Sequence, residues 1–161
     1  MTLHDLNGAR EEHAREVLLA CCGSEAWAMR MVANRPFADA EAFEAQAEEV
    51  WWQLTDQDWL DAFAKHPKIG QQRDNAKWPA AEQVGMTEAG RDAAERMYQR
   101  NVEYENRFGF IFIVCATGKT AEEMLSAIDQ RIGNEPAAEM RIAAQEQAKI
   151  TRLRLRKMLA E

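Results

Sequence analysis

Phe108-Gly109-Phe110-Ile111-Phe112-Ile113-Val114-Cys115-Ala116 is the most apolar run in the chain, and its reading decides the fold. On composition alone such a run fits a buried strand. The rest of the chain reads as helix, however, so a strand here has no partner for its backbone groups. The run is therefore read as a buried extended segment leading into the next helix, and the chain as all-α.

Downstream, Thr117-Gly118-Lys119 is a turn and Thr120-Ala121-Glu122-Glu123 a capping box. Met124, Leu125 and Ile128 follow on one helix face, and Gly133-Asn134 ends that helix. Pro136 begins the last helix, about 137–159, which carries Met140, Ile142, Ile150, Leu153 and Leu155. Upstream, a long helix is expected from Thr87 to about Arg107, and a shorter one opens at Pro79 and runs through Glu82-Gln83 to about Gly85. Residues 67–77 are polar and read as loop. Thr55-Asp56-Gln57-Asp58 resembles a capping box, opening a helix with Trp59, Leu60 and Phe63 that ends at His66, since a residue before proline avoids the helical region. Asp39 caps a helix to about Leu54 with Phe43, Ala47, Val50, Trp51 and Leu54 at helical spacing. Ser24 caps one to about Ala33, broken by Asn34-Arg35-Pro36-Phe37. Asn7 is expected to cap a first helix to about Cys22, stopped by Gly23. The expectation is a single-domain bundle of about eight helices across 1–161.

Composition narrows the partners. The 161 residues are 47% apolar and 29% charged, the make-up of a folded globule. A net charge of -7 argues against a general nucleic-acid or anionic-membrane binder. An anionic small-molecule substrate remains compatible, because one arginine can set the field of a pocket. Cys21, Cys22 and Cys115 lack framework spacing and read as reduced thiols of a cytoplasmic protein. No C-x-x-C or H-E-x-x-H pattern supports a metal site. The first residues do not form a signal peptide, and no apolar run is long enough to span a bilayer.

One further stretch draws attention, Lys65-His66-Pro67-Lys68-Ile69-Gly70. It holds the only histidine beyond His4 and His13. Taken alone, a histidine before proline is more often a helix-end group bonded to local carbonyls. Glu82 alone is a first-turn carboxylate favoured by the helix dipole. The Phe side chains of 108–116 are core. Arg152 and Arg154 lie in a charged run that is most often a solvated helix face. Trp51 and Trp52 are adjacent and cannot share one helix face.

Taken in order, His66-Pro67-Lys68-Ile69-Gly70, Glu82-Gln83, Phe108 to Lys119 and Ile150-Thr151-Arg152-Leu153-Arg154-Leu155 resemble the 2-oxo-4-hydroxy-4-carboxy-5-ureidoimidazoline (OHCU) decarboxylase family. Arg35-Pro36-Phe37 resembles another of its segments. The resemblance spans nearly the whole chain and implies an all-helical, cofactor-free homodimer acting in urate breakdown. By resemblance His66 is the catalytic proton donor, with Glu82 and Gln83 beside it. Pro67, Pro79, Ala80, Ala81, Glu82, Gln83, Phe112, Ile113, Val114, Cys115 and Ala116 match substrate contacts, and Arg154 matches an arginine of the final helix. Pro79 stands where many relatives have serine, and so offers neither hydroxyl nor N–H.

The residue types suit that chemistry. Loss of carbon dioxide leaves an electron pair that the substrate's own conjugated ring accepts, so no cofactor is needed. The protein must hold the substrate, exclude water and protonate one face. Histidine is a natural donor near neutral pH. Glu82 is a candidate partner for it or for the ureido N–H groups, and Gln83 both donates and accepts. The 112–116 backbone would offer N–H groups to substrate oxygens. Two other readings compete. One is a non-catalytic helical interaction module anchored by exposed Trp and Phe. The other is a hydrolase with His66 as base, which lacks a suitable nucleophile because Cys115 lies in an apolar run.

Overall fold

A computed structural model describes residues 1–67 and 88–160, and all of their regular structure is helical. Eight helices are found among the described residues: α1 (Leu3–Gly8), α2 (Glu11–Cys21), α3 (Glu25–Ala33), α4 (Ala40–Trp52), α5 (Asp56–Phe63), α6 (Glu88–Phe108), α7 (Ala121–Arg131) and α8 (Pro136–Ala160). They fall into two compact units, Met1–Lys65 with Gln145–Glu161, and His66–Ala144.

In the first unit the caps read from sequence are found. Ser24 Oγ accepts from Trp27 N–H and Asp39 Oδ1 from Ala42 N–H, while Thr55 and Asp58 form a reciprocal box. These occupy N–H groups that a helix start leaves without partners. Trp27, Phe43, Trp51, Trp59 and Phe63 bury their rings. Trp27 and Trp59 donate their indole N–H to the Ala47 and Trp51 carbonyls, both at 3.0 Å. The adjacent Trp51 and Trp52 both meet the Trp59 ring, at 5.9 and 5.5 Å. On α8, Arg152 pairs with Glu48, and Arg156 grips both oxygens of Glu44 at 2.7 and 3.0 Å.

The first helix departs from expectation. Asn7 is not its cap but lies inside the separate α1, which Thr2 and Asp5 cap reciprocally. The Asn7 amide instead exchanges two hydrogen bonds with the Phe37 backbone, donating at 3.0 Å and accepting at 2.9 Å. The chain breaks after α1 because Arg35 takes its final carbonyls. Its guanidinium donates to Leu6 O (2.9 Å), Ala9 O (2.7 Å) and Val32 O (3.1 Å). Arg35-Pro36-Phe37 thus latches α1 in place, and the Phe37 ring packs on Phe43 at 4.9 Å.

In the second unit α6 ends at Phe108. Gly109 takes φ +81 and donates its N–H to Glu105 O at 2.8 Å, a left-handed stop that suits glycine. Residues 111–116 are neither helix nor strand, and Phe110 to Val114 are buried. The apolar run is thus buried and non-helical, as expected. Gly118, at φ +77, closes the turn that Lys119 N–H makes to Ala116 O. Thr120 Oγ1 then accepts from Glu123 N–H to open α7, and Pro136 opens α8 as read.

Candidate active site

Helix α5 stops at Phe63, three residues before His66. The chain tightens first, with Ala64 and Lys65 N–H bonded to the Leu60 and Ala62 carbonyls. His66 is half-buried and Pro67 exposed. Beside this turn lies Gly23. A Cβ there would stand 2.4 Å from Lys65 Cγ and 2.8 Å from Lys65 Cβ. Gly23 is required by space, not by backbone conformation, and it lets the turn before His66 pass close to the α2–α3 connection. The helix stop read at Gly23 is therefore also a packing requirement.

The buried segment is held from one side by charge. Arg131 Nη1 donates to Ile113 O at 2.7 Å, and its guanidinium carbon lies 4.5 Å from the Phe112 ring centre. Its Nε and Nη2 reach Glu139 Oε2 at 2.9 and 2.6 Å. Tyr104 donates its hydroxyl to the same oxygen, and Asn134 donates to Oε1 at 3.1 Å. Glu139 has no exposed surface, so several donors share a fully desolvated carboxylate. Burial first, then the bond to Glu139, pushes the Tyr104 phenol well above its ordinary range. The ring packs on Phe108, Phe110 and Phe112.

Phe112, Ile113 and Val114 are only 2%, 2% and 6% exposed. Among the described residues their backbone N–H groups meet no acceptor. Buried N–H groups are otherwise nearly always satisfied, so three in a row mark a place for an acceptor from outside the chain. The sequence reading missed Arg131, Glu139 and Tyr104. Arg131 in the last turn of α7 and Glu139 in the first of α8 look like ordinary helix-dipole charges. The available signal was the partnerless apolar run itself, whose carbonyls needed a donor.

His66, Pro67 and Phe112 to Ala116 belong to the second unit. Pro79, Ala80, Ala81, Glu82 and Gln83 lie outside the described residues. Arg154 belongs to the first unit and is exposed. Arg152 and Arg156 are both committed to α4, whereas Arg154 has no hydrogen bond or ion pair among the described residues. Its field reaches the buried Cys21 and Cys22 thiols, which burial nonetheless pushes up to about 11. No exposed Trp or Phe is found among the described residues, so the interaction-module reading loses its anchors there. No described helix is long and apolar enough to cross a membrane.

Comparison with known proteins agrees along the chain. Residues 7–156 match the family model for OHCU decarboxylase. A "uric acid degradation bifunctional protein TTL" of Arabidopsis thaliana is 39% identical over 88% of this chain and 46% of its own length. An OHCU decarboxylase of Amia calva is 42% identical over 48% of this chain and 44% of its own length. The chain thus spans under half the length of these relatives. A crystal structure of OHCU decarboxylase in the presence of (S)-allantoin superposes with TM-score 0.78 at 36% identity, covering 95% of this chain and all of that one.

Proposed function

Since the chain belongs to the OHCU decarboxylase family, we propose that it removes carbon dioxide from 2-oxo-4-hydroxy-4-carboxy-5-ureidoimidazoline to give S-allantoin. The observation that carries this reading is the run of buried N–H groups at Phe112 to Val114 that meet no acceptor among the described residues. Such groups are preorganised for an oxygen on which negative charge builds. In the proposed reaction the bond between the ring carbon and the carboxylate breaks. The electron pair passes into the conjugated ring, carbon dioxide leaves, and a proton is added to that carbon from one side. His66 is the proton donor. Glu82 and Gln83 orient it or the ureido group, Pro67, Pro79, Ala80 and Ala81 complete the contacts, and the Phe112 to Ala116 backbone receives substrate oxygens. Arg154, unlike its neighbours Arg152 and Arg156, has no ion pair among the described residues and is the candidate cation for the substrate's anionic group. No cofactor takes part. A single functional domain is supported by the family match, which runs through both compact units. A cytoplasmic homodimer belongs to the same proposal, and sedimentation tests the dimer.

The test generates the substrate in place, from urate with uricase and hydroxyisourate hydrolase, and follows circular dichroism. Rapid growth of the S-allantoin signal is expected with this protein. His66→Ala, at a half-exposed turn position, is expected to fold normally and lose at least about a hundred-fold in rate. An unaltered rate in that variant would remove His66 from the mechanism.

A further inference from the structure

The network behind the buried segment has the arrangement of a device that aims its backbone. In a planar trans peptide the C=O of one residue and the N–H of the next point in opposite directions. Arg131 captures the Ile113 carbonyl at 2.7 Å, so that carbonyl is turned toward the guanidinium. The Val114 N–H, which lies in the same peptide plane and meets no acceptor among the described residues, then points away from the guanidinium. Arg131 cannot swing away, because its other nitrogens are fixed on Glu139 and its plane lies against the Phe112 ring. Glu139 is fixed in turn by Tyr104 and Asn134.

We propose that Arg131, locked by Glu139 and Tyr104, is the positioning residue that sets the rotation of the Ile113–Val114 peptide, so that the Val114 N–H meets the substrate oxygen gaining charge as carbon dioxide leaves. This rests on the decarboxylase reading above. Arg131 acts through Ile113 and does not touch the substrate. Donors aimed at charge that develops only during reaction affect turnover more than binding.

The experiment compares the full-length protein with Arg131→Lys, Tyr104→Phe and Leu18→Ala, measuring thermal unfolding, kcat, KM and the optical purity of the allantoin. Lysine keeps the charge but cannot span Ile113 O and Glu139 together. Leu18 is buried in the first unit and controls for lost stability alone. The expected result is a folded Arg131→Lys with kcat down about ten-fold or more, KM within about two-fold, and product of lower optical purity. Tyr104→Phe, the milder change, is expected to lose about three-fold in kcat, and it carries the test if Arg131→Lys does not fold. The proposal is overturned if kcat in these variants falls only with the folded fraction, as in Leu18→Ala. An inactive wild-type protein instead overturns the decarboxylase reading, and this one with it.

Discussion

His66, the proposed proton donor, and Gly23, beside the turn that leads to it, differ in how far the sequence reveals them. His66 was legible from sequence because a proline directly after it ends the helix and leaves an imidazole on a turn. The second role of Gly23 was not legible, since a glycine after a helix is normally a stop signal, and here it also makes room for Lys65. Gly23→Ala is expected to cost about 1–3 kcal/mol, the usual result of forcing a methyl group into occupied space. The displacement falls on the residue next to His66, so with His66 as the proposed proton donor kcat should drop by about ten-fold or more even well below the unfolding temperature, as small misplacements of reacting groups do. Calorimetry beside the allantoin assay checks both. Arg131 and Glu139 were illegible for a different reason. Each reads as an exposed helix-end charge, and only folding reveals that the two close over a carbonyl eighteen residues back in the chain.

At the scale of elements, what the sequence carried was local. The caps at Ser24, Asp39, Thr55 and Thr120, the turn at Gly118 and the start of α8 at Pro136 depend on neighbours within four residues, and each is found. The break between α1 and α2 depends on Arg35 and on the pairing of Asn7 with Phe37, thirty residues away, which no local pattern records. Asn7→Ala removes two hydrogen bonds and leaves the Phe37 backbone without its partner. It is expected to cost about 2–3 kcal/mol, from about 1 kcal/mol per bond plus the unpaired group. Chemical denaturation measures that loss. The rate constant should stay unchanged, because the hydrogen bonds of Asn7 reach only Phe37 and no proposed site residue.

For the whole molecule, stability should depend on pH at the alkaline end. An unfolded chain releases its Cys21 and Cys22 protons near pH 9, whereas burial holds them to about 11 in the folded chain. Between those values the folded state binds more protons, so stability is fully present below pH 9 and is lost as pH rises toward 11. The buried Tyr104 phenol extends the loss above pH 10. Denaturation midpoints at pH 8, 9, 10 and 11 should fall in sequence, and Cys22→Ala should flatten the fall by up to about 1.4 kcal/mol per pH unit. The all-α architecture was readable because helix period and caps recur throughout the chain, and the apolar run was the one stretch that broke them. One consequence follows from the ion pairs of α8. Arg152 meets Glu48 and Arg156 meets Glu44, so the numbers rise along one helix as they fall along the other. Sliding α8 by one turn in either direction would match one arginine with the wrong glutamate and leave the other charges unmatched. Exposed pairs of this kind add little strength. Their value is as an alignment code, which rejects mistaken seatings of α8 and holds Arg154 at one fixed place on the helix surface.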